Sequence, residues 1–497
     1  MYESLADAAS YLLRFDVLLI IFLGAFIGLI FGVLPGLGGV TGLAVVLPFT
    51  YGWEPMLAFF LFAGLMGSHA FGGSISAILL NTPGEAQNVA TCIDGYPMSQ
   101  RGEGGKALGI SATSSAIGAL FGLVVLVLLI PVVLPIVTSV RAPEFLMLVL
   151  FGLAAVAFAA KGNMLKGLMS GGLGILLSLI GFSGIFGVLR YNLGSIYLWD
   201  GLELIPFVIG IFALSEMISL SFRKRIVAEK TTGNLSGVID GVKEVFKHKV
   251  TLLRSSVLGT LIGIVPGVGG PVANFLAYIT TVQASKHPET FGHGDPEGVV
   301  ASEASNDAKD GGALLPTVAF GIPGSAIMAV LLGAFILHGM QPGPLFMRDH
   351  MDIVWALILG LVVSNIIAST LGLLAGKYLA WVTTVKVNYI IAIVVALCIS
   401  GSFVMRGNIW DVGLMLIAGI FGYGLKKFGY SPVCLVIGFI LGFIAERVFH
   451  QSLMISYGSY AIFFTRPISL ILFILLILVL LLPFITRLRI KSRSKSQ

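Results

Sequence analysis

The sequence predicts an all-α polytopic membrane protein, built as an inverted-topology repeat with broken or re-entrant helices. Three observations predict it. The first is composition: of 497 residues, 57% are hydrophobic and 11% charged, with a mean hydropathy of +1.00, whereas soluble domains carry about 25% charged residues. The second is length: many uncharged windows reach the roughly 18–25 residues that cross the hydrocarbon layer. The third is a pair of motifs, "GVLPGLGG" at 32–39 and "GIVPGVGG" at 263–270, each following a strongly apolar run. Pro-Gly-x-Gly-Gly is a poor helix former, yet it stands twice where a membrane helix is expected. The short alternating segments of a β-barrel are absent from the sequence.

Apolar segments fall at 17–33, 40–50, 56–80, 107–137, 143–160, 164–182 and 202–220, then at 252–265, 271–283, 311–338, 353–376, 388–405, 409–424, 431–446 and 467–485. The run 107–137 exceeds one span, so it is expected to be tilted or broken, with Pro131 and Pro135 favouring a late break. The start, "MYESLADAASYLLRFD", is acidic and lacks a basic n-region, so the run after it is expected as a retained helix. Cys92, Cys398 and Cys434 have no pair spacing and imply neither a disulfide nor a metal site. The histidines form no H-E-x-x-H and no Cys/His cluster. The net charge of +6 sits largely in 221–254 and the tail "TRLRIKSRSKSQ". It reads as topology by the positive-inside rule, with anionic-lipid contact second, and not as a nucleic-acid surface.

The motifs recur as pairs. "NTPG" at 81–84 follows the first and "GIPG" at 321–324 the second; Pro266 lies 231 positions after Pro35, and Pro323 lies 240 after Pro83. The extra residues of the second copy fit in "SKHPETFGHGDPEG". The expected organisation is a first transmembrane repeat over 1–220, a basic cytoplasmic linker over 221–254, a second repeat over 255–446, and an extra helix with a cytoplasmic tail over 447–497. With the linker and tail both inside, counting spans puts loop 91–106 inside and loop 339–352 outside. The copies are then inverted, with a periplasmic N-terminus and a cytoplasmic C-terminus.

Non-helical backbone at membrane depth survives only where it is buried in protein or lines a watery cavity. Proline ends one hydrogen-bond ladder and starts a half-helix well. The amides freed at that start carry partial positive charge and make an anion site without a basic side chain. Discontinuous helices in inverted repeats serve secondary transporters in this way. Close helix packing or a simple kink is the alternative use of such glycines. A nucleotide loop is excluded, since no Lys-Ser/Thr follows the glycines and no G-x-G-x-x-G is present here.

The second motif of each pair has polar flanks: Asn81, Thr82, Glu85, Gln87, Asn88, Thr91 and Asp94 in one copy, Ser302, Glu303, Asn306, Asp307, Lys309, Asp310 and Ser325 in the other. On a helix over 302–310, Glu303 and Asp307 share a face with Asn306 beside them, and carboxylates with amide oxygens suit a hard cation or a proton. A solvated face beside the hydrophilic insert is the competing reading for Glu303 and Asp310. Glu54, Glu144, Glu203 and Glu446 read as interfacial acids at segment ends, Glu216 likewise. His69 and His338 read as hydrogen-bonded interior histidines.

The stretches "GVLPGLGG", "ILLNTPGEAQNVATCIDGYPMSQRGEGGKALGISA", "GIVPGVGGPVANFLAY", "SEASNDAKDGGALLPTVAFGIPGSAIMAVLLGAFILHGMQPGPLF" and "FGYGLKKFGYSPVCLVIGFILGFIAE" resemble the large membrane subunit of tripartite tricarboxylate transporters (TctA), over about 15–455. The resemblance implies ion-coupled secondary uptake of citrate-like tri- or dicarboxylates across the bacterial inner membrane, by an elevator-type motion. It also implies two partners, a small four-helix membrane subunit and a periplasmic solute-binding protein, with sodium or protons as coupling ions and no other cofactor. A homo-oligomer stays open. The family pattern places the substrate cradle at Pro35, Gly36, Gly38, Gly39, Asn81, Thr82, Pro83 and Gly84, and at Pro266, Gly267, Gly269, Gly270, Gly321, Pro323, Gly324 and Ser325. It places the coupling ion at Asn306, Asp307 and Glu303. Where the family often has Glu-Ala-Ala-Asn-Asn-Ala, this chain has Asp307 in place of the second Asn, adding a negative charge. Glu85, directly after the first Thr-Pro-Gly, would repel an anion unless protonated, ion-paired or turned away. A passive anion channel is the alternative; a membrane enzyme lacks any catalytic constellation with usable spacing.

Overall fold

The computed structural model describes residues 2–159, 164–183, 185–222, 236–382 and 385–493. Much of the basic linker expected over 221–254 (residues 223–235) and the last tail residues 494–497 lie outside the described residues.

The first half carries α1 (Tyr2–Leu12), α2 (Phe15–Val33), α3 (Gly38–Val46), α4 (Pro55–Met66), α5 (His69–Leu80), α6 (Val89–Gln100), α7 (Gly104–Ser139), α8 (Ala142–Ala159) and α9 (Met164–Ser178). A small antiparallel pair follows, β1 (Gly181–Ser183) and β2 (Val188–Arg190), with Phe182 opposite Leu189. Then α10 (Leu204–Val208) passes through a π turn at Ile209–Leu214 into α11 (Ser215–Phe222). The second half carries α12 (Val238–Val245), α13 (Lys249–Ile264), α14 (Gly269–Ala284), α15 (Pro296–Phe320), α16 (Ala326–Leu337), α17 (Phe346–Asp349), α18 (Met351–Val382), α19 (Val387–Val404), α20 (Ile409–Lys427), α21 (Pro432–Ile455), α22 (Ile462–Thr465) and α23 (Pro467–Arg493).

Among the described residues, eight stretches are long and apolar enough to cross a membrane: Phe15–Val33, Pro55–Leu80, Gly104–Ser139, Leu204–Phe222, Met351–Gly376, Val387–Val404, Ile409–Lys427 and Pro432–Ile455. Shorter apolar helices include Gly38–Thr50, which begins within the first motif, and Ala326–Leu337, which follows the GIPG motif. Outward faces are apolar: Leu128, Ile366 and Leu374 are exposed where lipid would lie.

The centre is a polar helix. In α15 every residue from Gly298 to Ala319 is buried, although the segment includes Glu303, Asn306, Asp307, Lys309 and Asp310. Polar residues survive there because small residues let backbones close over them. A side chain on Gly118 of α7 would stand 2.2 Å from the Ala304 carbonyl, and one on Gly259 of α13 2.5 Å from that of Ser305. Asp295 caps the start of α15, accepting the Glu297 amide at 2.8 Å.

Two predicted segments are corrected. The run 107–137 does not break late: α7 continues through Pro131 and Pro135. Each proline forfeits one backbone bond, whereas unwinding in lipid would strand several more. The run 56–80 is two helices, parted at Gly67 and Ser68, where the Ser68 hydroxyl bonds back to the Gly64 carbonyl at 3.0 Å. The run 311–338 is the end of α15 and all of α16, parted at 321–325 where the GIPG motif predicts a break.

The acids expected at solvated segment ends are paired, and of them Glu54 is exposed as expected. Glu144, 1% exposed, meets Arg466. Glu446 takes a two-pronged contact from Arg190 at 2.7 and 3.0 Å. Glu203 faces Arg406 at 3.2 Å, Glu216 faces Lys426 at 2.7 Å, and Glu54 accepts the Tyr11 hydroxyl at 2.6 Å.

Candidate functional site

Both Pro-Gly-x-Gly-Gly motifs end one helix and start another. Helix α2 stops at Val33 and α3 starts at Gly38; α13 stops at Ile264 and α14 starts at Gly269. Gly36 and Gly38 adopt φ of 86° and 66°, Gly267 and Gly269 φ of 77° and 68°. An L side chain is costly there, which explains the glycines.

The Pro-Gly partner of each motif holds it in place. The Gly36 amide donates to the Gly84 carbonyl at 3.0 Å, and the Gly267 amide donates to the Gly324 carbonyl at 3.1 Å. Just upstream, Asn81 and Gly321 both cap their helices in the left-handed region, at φ 53° and 67°. The next amides bond back six residues, Thr82 to Ser76 at 3.3 Å and Ile322 to Pro316 at 3.2 Å. The two motif pairs thus share bonds and backbone signs at every compared position.

Two cavities adjoin the motifs. One, of ≈ 380 Å³, is lined by Pro35, Gly36, Gly38, Thr82, Pro83, Gly84, Glu85 and Glu216 among others. The second, of ≈ 290 Å³, joins both halves of the chain: His69, Glu85 and Gln87 from the first face Gly267, Gly269, Gly270, Lys309 and Ser325 from the second. Glu85 borders both cavities. Asn81, Pro266, Gly321, Pro323 and Gly324 line neither and act in the backbone that shapes the turns.

At the first half-helix the freed amide is occupied. Glu85 Oε1 accepts the Gly39 N–H at 2.6 Å and lies 2.5 Å from His69 Nδ1. Glu85 is therefore neither turned away nor isolated; it sits on the amide predicted to hold substrate. Among the described residues, no carboxylate accepts an amide of the second half-helix in this way. Around it Ser325 Oγ and Gln87 Nε2 are buried without a hydrogen-bond partner, as is His69 Nε2. Lys309 Nζ donates to Asp310 Oδ1 at 2.6 Å.

The predicted ion ligands lie on α15, and the solvated-face reading of Glu303 and Asp310 is overturned, because α7, α13 and the first-half helices cover them. Glu303 is fully buried. Its carboxylate accepts from Ser74 Oγ at 2.8 and 2.9 Å, from Ser111 Oγ at 2.8 Å and from Thr91 Oγ1. Asp307 accepts from Ser115. Asn306 is buried with neither amide atom partnered. Among the described residues no group of three or more His, Cys, Asp or Glu is arranged to hold a metal ion.

Sequence reasoning did not find Val156 of α8, nor Ser431 beside α21 and Val433 within it, which close the ≈ 290 Å³ cavity. They are ordinary residues brought in by folding. His69 and Lys309 carried a signal that was not used: each stands 16 residues before the Glu85 or Ser325 of its motif.

A family model described as "Tripartite tricarboxylate transporter TctA family" matches residues 18–437. The "Uncharacterized 52.8 kDa protein in TAR-I ttuC' 3'region" of Agrobacterium vitis is 33% identical over 463 residues, covering 90% of this chain and 89% of that protein. The "Uncharacterized protein in TAR-II ttuC' 3'region" of the same organism is 34% identical over 214 residues, 42% of this chain and 87% of its own length. No solved structure matches. The family provides the large membrane subunit of tripartite transporters, which implies a membrane partner and a binding protein. With its many apolar helices and a match spanning nearly its whole length, this multi-pass membrane protein belongs to the tripartite tricarboxylate transporter TctA family.

Proposed function

We propose that the chain is the translocating subunit of a tripartite, binding-protein-dependent carrier for organic carboxylates in the bacterial inner membrane. It works by ion-coupled secondary transport, with sodium or protons. One observation carries the reading: two matched helix breaks, tied by equivalent bonds, each adjoin a cavity, and Glu85 borders both cavities, the second of which holds unpartnered buried donors. The matched geometry of the motif pairs supports an internal repeat; the loop charges are the support for its inversion, and an inverted repeat suits an elevator-type movement of the site.

Energetics require coupling. An interior-negative potential opposes anion entry by about 2.3 kcal/mol per charge per 100 mV, so a trianion faces about 7 kcal/mol. Co-transported cations offset that cost. Asn306 and Asp307, with Glu303 one turn away, offer oxygens within the same central helix.

The test is uptake by the full chain in vesicles, with its partner subunits, against a panel of labelled carboxylates while sodium and pH are varied separately. Accumulation that collapses without the cation gradient supports the carrier. Unchanged downhill flux without either gradient supports a passive anion channel and defeats the carrier reading.

A further inference from the structure

Within this molecule, one helix break already holds a carboxylate. Glu85 Oε1 rests on the Gly39 amide and beside His69 Nδ1. The spacing that relates the motif pairs, 231 positions at the first motif and 240 at the second, carries Gly39 to Gly270, His69 to Lys309 and Glu85 to Ser325. Backbone geometry agrees: Glu85 has φ −133° and ψ 166°, Ser325 φ −151° and ψ 172°. The close approach agrees too. A side chain on Gly39 would stand 2.4 Å from the His69 ring, and one on Gly270 2.5 Å from Lys309 Cε. The second break therefore repeats the first, with a lysine for the histidine and a hydroxyl where the carboxylate hangs.

Building on the transport reading above, we infer that Glu85 is an intramolecular carboxylate ligand that fills the first cradle, and that the second cradle binds one carboxylate of an organic acid between the Gly270 amide, Lys309, Ser325 and Gln87. The donor set suits that ligand. The amides of the first helical turn have no partner within the helix, and the helix dipole favours an anion there. The Lys309 ammonium has three N–H donors, of which one goes to Asp310. Ser325 Oγ and Gln87 Nε2 are buried, unpartnered and face the same ≈ 290 Å³ space. An ionised carboxylate accepts about four hydrogen bonds, so it satisfies these groups together. Glu85 borders the same space and repels a second carboxylate on its side, so the rest of the ligand extends away from α3.

The test uses the purified full chain in lipid nanodiscs, with labelled citrate and succinate as probes. Lys309→Met lowers binding of whichever probe the wild type binds by about tenfold or more, as expected for losing a charged hydrogen bond. Ser325→Ala lowers it about three- to tenfold, and Lys309→Arg retains most of it. For the first cradle, acetate raises the melting temperature of Glu85→Ala/Lys309→Met by refilling the vacated place, and leaves Lys309→Met alone unmoved. Should the double variant fail to fold, Glu85→Gln in the Lys309→Met background reports instead: it keeps the shape, loses the charge and melts at a lower temperature. Unchanged probe binding in both Lys309→Met and Ser325→Ala overturns the second cradle. Equal acetate shifts in the paired proteins, or an unaltered melting temperature for the Gln variant, overturns the first. A wild type that binds neither probe counts against the carboxylate-transport reading, and the acetate comparison then decides the Glu85 assignment by itself.

Discussion

The amide of Gly267 donates to the carbonyl of Gly324 at 3.1 Å, and so ties the end of α13 to the turn that starts α16. One bond between two broken helices thereby fixes where the α14 amides point. At φ 77° and with Val156 Cα 2.4 Å from where its Cβ would stand, position 267 excludes any side chain.

Gly267→Val therefore abolishes uptake. The left-handed backbone costs a β-branched residue at least about 1–2 kcal/mol, and the clash with Val156 moves α14 away from α8. Because the change lies inside the bundle and leaves the apolar exterior intact, the protein still inserts. Membrane fractionation with a vesicle uptake assay checks both halves of the statement; a variant that transports at the wild-type rate refutes it.

The breaks were legible in the sequence because Pro-Gly-x-Gly-Gly is so poor a helix former that its position alone marks a turn. The central burial of α15 was not. Glu303 and Asp310 read equally well as a solvated face until Gly118 and Gly259 of distant helices are known to pack on the intervening carbonyls. The Gly67 break in the 56–80 run escaped for a related reason: a lone glycine and serine carry no local signal, and their effect depends on packing against Ser364. Side chains that close the cavity, such as Val156 and Ser431, are contributed by tertiary structure and have no sequence signature.

Ser111→Ala destabilises the protein by about 1–3 kcal/mol, the cost of leaving a buried acceptor short of a donor. Ser111 gives its hydroxyl to Glu303 Oε2 at 2.8 Å, and Glu303 has no access to solvent to replace it. Pairing Ser111→Ala with Glu303→Gln recovers part of the loss, since the neutral amide needs less compensation. Thermal unfolding of the three proteins in the same detergent measures the coupling; additive losses in the pair refute it.

Arg466→Ala costs about 3–5 kcal/mol, because it strands Glu144 as a buried, uncompensated charge. Glu144 is 1% exposed and its other recorded contact is the Arg141 amide at 3.1 Å. The exposed pair Arg348–Asp349, 2.7 Å apart, gives the contrast: Asp349→Ala shifts stability by no more than about 1 kcal/mol. Equal effects of the two substitutions on the melting temperature would remove the distinction drawn between them.

Acid loosens the docking of α12 on α7. Gly241 of α12 packs against the Lys106 carbonyl, and Glu244 reaches Lys106 Nζ at 3.3 Å, Lys247 Nζ at 3.1 Å and His248 Nε2 at 3.8 Å. Burial alone would raise the Glu244 carboxyl, but the hydrogen bond from Lys247 and the charge of Lys106 outweigh it and hold it below its ordinary value of 4.5. A carboxyl depressed in the fold binds its proton more readily once α12 is released. Its contribution is thus complete above 4.5 and is lost as the pH falls below that value toward the folded one. Hydrogen exchange of residues 238–245 should stay protected from neutral pH down to about 5, after correction for the intrinsic exchange rate, and lose protection below it. Glu244→Gln should lower protection at neutral pH and flatten the profile. An unaltered acid-side loss in that variant would assign the transition to another group.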